Sequence, residues 1–260
     1  MNAMRTGLYA EGSITRRVNR ENVLMLGGGR ALLMQLAHPK VAAGVDEHSD
    51  FRVRPMYRLR RTVRLTMAIV FGDRETAMAA ARSVNRTHQN VRGDGYSALD
   101  PELLLWVHAT LVDTARVTYE TFVHPLTAAD REDLYQEMKL LGELLGIPRP
   151  RFPATMRDFE AYRDDFIVTE LRVGETARDL AGLVVRPRLF RLPGALFMPW
   201  EVATTGLLPP ELREQYRLPW TAAQQRIYRL GVSTVRKVVT VTPPVLRVWP
   251  LPGRNVSHSA

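Results

Sequence analysis

DPELLLWVHATLVDTARVTYETF, Asp100 to Phe122, is the stretch on which the reading of the fold turns. Asp100 followed by Pro101 marks a helix start: the carboxylate caps the first turn, and proline there loses no needed N–H. Leu104, Val107, His108, Leu111 and Ala115 then recur at intervals of three and four, so they share one helical face. His108 is therefore expected to point inward.

The same periodicity extends in both directions. Upstream, Gly93 to Asp100 is a polar turn, and before it Asp73 caps a helix with a narrow stripe of Ala77, Ala80, Ala81 and Val84 leading to His88 and Val91. Leu59, Val63, Met67 and Val70 give Met56 to Phe71 a helical pattern, and Val41 to Phe51 reads as a short helix and turn. Residues 23 to 37, VLMLGGGRALLMQLA, are apolar nearly all round and suit a buried helix. Gly27, Gly28 and Gly29 lack the spacing of a dinucleotide or P-loop fingerprint, so they are read as allowing close helix packing or a ligand edge. Downstream, Thr127 opens a segment to Leu145, and Thr155 to Thr169, Gly174 to Val184, Pro199 to Gly206 and Trp220 to Thr240 continue the pattern. Strand signals are scarce. The expectation is an all-α fold, a single multi-helix domain over 20–241, preceded by an N-terminal arm at 1–19 and followed by an extended, proline-containing tail at 242–260.

Composition agrees with one large domain: 260 residues, 45% hydrophobic and 24% charged. The net charge of +9 would suit nucleic acid, an anionic membrane surface or an acidic ligand. Its arginines are dispersed from Arg5 to Arg254 with no nucleic-acid-binding signature, so nucleic acid is not expected. Arginines alternating with apolar residues from Arg186 to Pro193 leave peripheral contact with an anionic membrane as an open reading. The first twenty residues lack the apolar core of a secretory signal, and no apolar run reaches spanning length, so a cytoplasmic location is expected.

Cysteine is absent, which excludes disulfides, thiolate catalysis and iron–sulfur clusters. Metal ligation falls to six histidines, His38, His48, His88, His108, His124 and His258. Three residues upstream of them stand Gln35, Val45, Asn85, Leu105, Thr121 and Asn255, so the paired Glu-x-x-His of a di-iron bundle is missing. His-Glu-x-x-His and Gly-x-Ser-x-Gly are missing too. Haem survives these exclusions, because it asks for one histidine, an apolar slot and cations. His88 in RTHQNVRG (Arg86 to Gly93) and the cations of RLRRT (Arg58 to Thr62) can supply them; Arg58, Arg61 and Thr62 fall on one face at intervals of three and four. Residue chemistry alone favours a hydrogen-bonded core histidine and a solvated basic face over a haem site.

The succession QLAHPKVAAGVDEHSDF (Gln35 to Phe51), RLRRT, IVFG (Ile69 to Gly72), RTHQNVRG and YSALDPELLLWVHATL (Tyr96 to Leu111) resembles the catalytic domain shared by mpaB-type oxygenases and latex clearing proteins, the bacterial rubber oxygenases. The resemblance runs from Arg20 to about Leu230. It implies a globin-like, all-helical core holding haem b, with dioxygen as co-substrate cleaving a carbon–carbon double bond. The family's proximal-histidine pattern, His-x-x-Val-Arg, falls on His88, Val91 and Arg92, making His88 the metal ligand and Arg92 a cofactor contact. Its distal arginine and lysine–threonine pair fall on Arg58 and on Arg61-Thr62, the implied catalytic residues, and His108 is placed near the pocket rather than on the iron. Arg61 replaces the rubber enzymes' lysine, and a guanidinium cannot become a neutral amine that ligates iron. A small apolar or isoprenoid-like unsaturated substrate is expected in place of polyisoprene. The alternatives are a non-catalytic haem or apolar-ligand binder and a basic, membrane-surface helical protein.

Overall fold

Pro101–Phe122 (α6) is the longest helix among the described residues and the axis around which the others pack. The computed structural model describes residues 7–48, 55–186 and 198–249, with 55–59 described by backbone alone. Before α6 come Ile14–Asn19 (α1), a 3-10 segment at Asn22–Gly27, Gly28–Leu36 (α2), Pro39–His48 (α3), Pro55–Phe71 (α4) and Arg74–Gln89 (α5). After it come Ala128–Leu144 (α7), Met156–Thr169 (α8), Glu175–Val185 (α9), Met198–Leu207 (α10), Pro210–Gln215 (α11), Ala222–Val241 (α12) and Pro244–Arg247 (α13). The described strands are a two-residue antiparallel pair, Arg92–Gly93 (β1) and Tyr96–Ser97 (β2), inside the expected polar turn. The protein is mostly helical, as its periodicity requires.

The caps explain where helices begin. Asp73, Asp100, Thr127, Thr155 and Thr221 each accept a backbone N–H of the first turn, and the three threonines form reciprocal capping boxes with Asp130, Asp158 and Gln224. Among the described residues, three helices lie where none was read, one of them α11, which buries Leu212. α1 sits inside the stretch taken as an arm and buries Ile14 and Val18. α13 sits inside the stretch taken as an extended tail, and Val248 after it bridges Glu21.

α6 also departs from the single-stripe reading. Leu103, Leu104, Leu105, Trp106, His108, Ala109, Val112, Asp113 and Arg116 are all buried, whereas Val107 and Leu111, two of the five residues read as its inner face, are half-buried. A helix with neighbours on every side has no solvent face to be polar. Trp106 is fully buried, stacks on Phe166 with centroids 4.5 Å apart, and donates its indole N–H to the Met34 carbonyl at 3.2 Å. That contact fixes α8 and α2 against the axis.

The glycine run answers to packing. A Cβ on Gly27 would lie 2.7 Å from Thr114 Cγ2 and closer still to Thr118 Oγ1 on α6, and one on Gly29 would lie 2.7 Å from Thr204 Cγ2 on α10. Only glycine lets the start of α2 sit this near both neighbours.

Candidate functional site

α4 and α5 are joined through Gly72-Asp73 and run back along one another as a hairpin of helices. The start of α4 therefore lies beside the end of α5. Arg61 is half-buried there, and its Nη2 donates to Thr87 Oγ1 at 2.9 Å, one residue before His88. Thr87 Oγ1 in turn donates to the Ser83 carbonyl at 3.1 Å, which fixes the hydroxyl that receives the guanidinium.

Thr62 is exposed, so Arg61 and Thr62 do not present their side chains together as the intervals predict. Successive residues on a helix diverge by about 100°, and packing on α5 captures Arg61 while turning Thr62 to solvent. The Arg58 side chain lies outside the described residues. Its backbone stands one turn before Arg61 on α4.

His88 is half-buried in the last turn of α5, and its carbonyl accepts the Val91 N–H at 3.1 Å as the chain turns into β1. Arg92 is exposed at the start of that strand. The Arg92 carbonyl accepts a hydrogen bond from His48 Nε2 at 2.9 Å, and Tyr96 Oη donates to Glu47 Oε2 at 2.6 Å. Gly44 adds the close approach, since a Cβ there would stand 3.3 Å from Val91 and 3.2 Å from Tyr96. The end of α3, the start of α4, the end of α5 and the hairpin thus meet at one corner. Glu47 and Tyr96 were not singled out from sequence; the only local signal was the polar Asp46-Glu47-His48 ending of α3.

Asn85, one turn before His88, ties α5 to α7 by donating Nδ2 to the Leu144 carbonyl at 2.9 Å. Its Oδ1 is buried with no hydrogen-bond partner among the described residues.

His108 lies elsewhere, in the core between α6 and α7. It is 2% exposed, meets Phe152 edge-on at 5.4 Å, and donates Nε2–H to the Met138 carbonyl at 2.8 Å. Burial pushes its pKa down to about 4, so the ring is neutral.

The strongest electrostatic cluster is also in the core. Fully buried Asp113 receives Arg30 Nη2 at 2.5 Å, Arg163 Nη1 at 2.7 Å and Arg116 Nη2 at 2.9 Å. Burial alone would raise its pKa, but attraction from Arg30, Arg163 and Arg116 holds it below the ordinary carboxylate range. Arg30 also bonds Thr114 Oγ1 at 2.7 Å and the Leu207 carbonyl at 2.8 Å, so one guanidinium clamps α2, α6 and α10. This is a structural clamp, in which three guanidiniums from α2, α6 and α8 converge on the one carboxylate.

The donor chemistry of the corner can be set against possible cofactors. No three His, Cys, Asp or Glu side chains converge as a metal cage among the described residues. A porphyrin brings four nitrogens and two carboxylates of its own, and asks the protein for an axial imidazole and nearby cations. Half-buried His88, Arg61 bonded to the residue before it, and exposed Arg92 are residues of those types.

The corner thus belongs to a mostly helical protein and brings His48, His88, Arg61 and Arg92 to neighbouring helix ends and the hairpin. The comparisons give the family: residues 15–237 match the ER-bound oxygenase mpaB/B'/rubber oxygenase catalytic domain, and the chain belongs to that family. It is 30% identical over 241 residues to an uncharacterized protein of Mycobacterium bovis and to one of Mycobacterium tuberculosis, covering 84% of this chain and 89% of each relative. No solved structure matches it. Among the described residues no helix is long and apolar enough to cross a membrane.

Proposed function

We propose that this chain is a haem b-dependent oxygenase with a globin-like haem core, using dioxygen on a small apolar or isoprenoid-like unsaturated substrate. Membership of an oxygenase family supports the reaction class. The observation that carries the site is the Arg61–Thr87 hydrogen bond, which holds a permanent cation one residue from His88.

In this reading His88 holds the group through its imidazole. Haem, when bound, supplies the iron that activates dioxygen. Arg61, charged at every working pH, stabilises negative charge developing nearby without reorganising. Arg58 and Thr62 complete the α4 side, and Arg92, exposed on β1, pairs with a carboxylate at the rim. His108 stands apart in the core: its one ring proton is committed to Met138, so it joins α6 to α7 rather than ligating metal.

The test is a haemin titration followed by absorption, together with oxygen uptake in the presence of a short isoprenoid alkene. The expected result is a Soret band that His88→Ala weakens or abolishes, with alkene-dependent oxygen uptake in the unaltered protein. An unchanged spectrum in His88→Ala rejects His88 as ligand. Haem binding without oxygen uptake would favour the non-catalytic binder.

A further inference from the structure

α12 shows two apolar faces where one would suffice. Gln224, Tyr228, Val232, Val235 and Val239 recur at helical spacing, are half-buried, and turn toward α6 and α10. A second series, about a third of a turn round the helix, faces solvent: Ile227 is 40% exposed, Leu230 63%, Val238 54% and Val241 78%. It continues into α13, where Val245 is 79% and Leu246 70% exposed. Isolated exposed aliphatics are ordinary, but six on two consecutive helices form a patch that calls for a partner.

The charge on these helices selects the partner. From Ala222 to Arg247 the sequence holds Arg226, Arg229, Arg236, Lys237 and Arg247 and no acidic residue. Arg236 is occupied with the Glu120 and Thr121 carbonyls, and Arg247 stands 3.5 Å from Glu21, whereas Arg226, Arg229 and Lys237 are exposed. A second copy placed on this face would bring cations against cations with no carboxylate from either helix to offset them. An anionic bilayer meets both demands, accepting the aliphatic stripe at its acyl boundary and the cations at its headgroups.

We propose that the exposed face of α12 and α13 is a docking surface for an anionic lipid bilayer, on which the protein rests without spanning it. The inference stands independently of the catalytic reading. It also differs from the arginine series Arg186 to Arg191 noted in the sequence: Arg186 is paired with Glu201 at 2.8 Å, and residues 187–191 lie outside the described residues.

The test is flotation of the full chain with vesicles of phosphatidylcholine alone or containing 30 mol% phosphatidylserine, at low and high salt. Binding is expected to the anionic vesicles only, weakening as salt rises. Each cation near such a surface is worth about a fivefold factor in partitioning, so Arg226→Glu with Lys237→Glu should weaken binding by about 25-fold or more. The control pair Arg151→Glu with Arg157→Glu, at exposed positions on the 3-10 turn after α7 and on α8, removes the same charge and should weaken it far less. Val238→Asp with Val241→Asp should abolish binding while leaving the helical circular dichroism and melting temperature unchanged. Equal loss in both charge pairs, or no anionic-vesicle binding at low salt, overturns the proposal. So does a dimer in light scattering that Val238→Asp with Val241→Asp dissociates, since a second copy would then cover the face.

Discussion

Arg61 and Thr87, 26 residues apart in sequence, are joined at 2.9 Å, and this one bond ties the basic helix α4 to the histidine-bearing end of α5. A partly buried charged hydrogen bond of this kind contributes about 1 kcal/mol. Arg61→Ala and Thr87→Val should each lower stability by that amount, read as a shift of the urea midpoint. Because both remove the same bond, the double variant should lose clearly less than the sum. Strict additivity would show that the two side chains do not act on one another.

A larger effect is expected at Asp113. Asp113→Asn leaves Arg30, Arg163 and Arg116 around a neutral group, and breaking a buried ionic cluster from one side costs about 3–5 kcal/mol. The folded carboxyl titrates below its unfolded value, so its contribution is present above the unfolded pKa and is lost only as pH falls through the depressed folded one. The stability gap between Asp113→Asn and the parent protein should therefore be flat from pH 8 to 5 and shrink only in stronger acid. A gap that opens or closes near neutrality would assign the effect to another group.

These two clusters mark where sequence stops being informative. Caps and periods are local, so Asp73, Asp100, Thr127 and Thr155 announce their helices correctly. The six-residue helices α1 and α11 contain too few turns to show a period. The Asp113–Arg30 contact spans 83 positions, and no local pattern tells a buried arginine from a solvated one. The site shows the same division. RTHQNVRG and RLRRT were legible as ordered motifs on neighbouring helices, but the intervals of three and four tie Arg61 and Thr62 only to Arg58, and sequence does not say which of the two meets α5. Glu47 and Tyr96 join the corner through a contact across 49 positions that their local sequence does not display.

Packing at the glycines gives a test of a different kind. Gly29→Ala drives a methyl group into Thr204 on α10, and overpacking of a filled interface costs about 1–3 kcal/mol. Thr204→Ala removes the Oγ1 and Cγ2 atoms responsible, so it should recover part of that loss when combined with Gly29→Ala. Thermal melts of the two single variants and the pair decide it. A pair no more stable than Gly29→Ala alone would place the clash elsewhere.

His108 links burial to pH. Its ring is buried, and the resulting desolvation lowers its pKa from 6.5 to about 4, against the hydrogen bond to Met138 that opposes the shift. The unfolded chain therefore binds a proton between those two values when the folded chain does not, and stability must fall as pH drops through that window. Over the whole interval the loss is about 3 kcal/mol. Above pH 6.5 both states carry a neutral ring, and below about 4 both are protonated, so the slope is confined between. His108→Gln keeps an N–H for the Met138 carbonyl but cannot titrate. Urea unfolding of parent and variant at half-unit steps from pH 7.5 to 4 should show the parent losing stability the more steeply, by about 1 kcal/mol per pH unit near pH 5. Parallel curves would mean that folded His108 titrates close to its unfolded value, its hydrogen bond to the Met138 carbonyl, which the protonated ring keeps, offsetting the cost of burial.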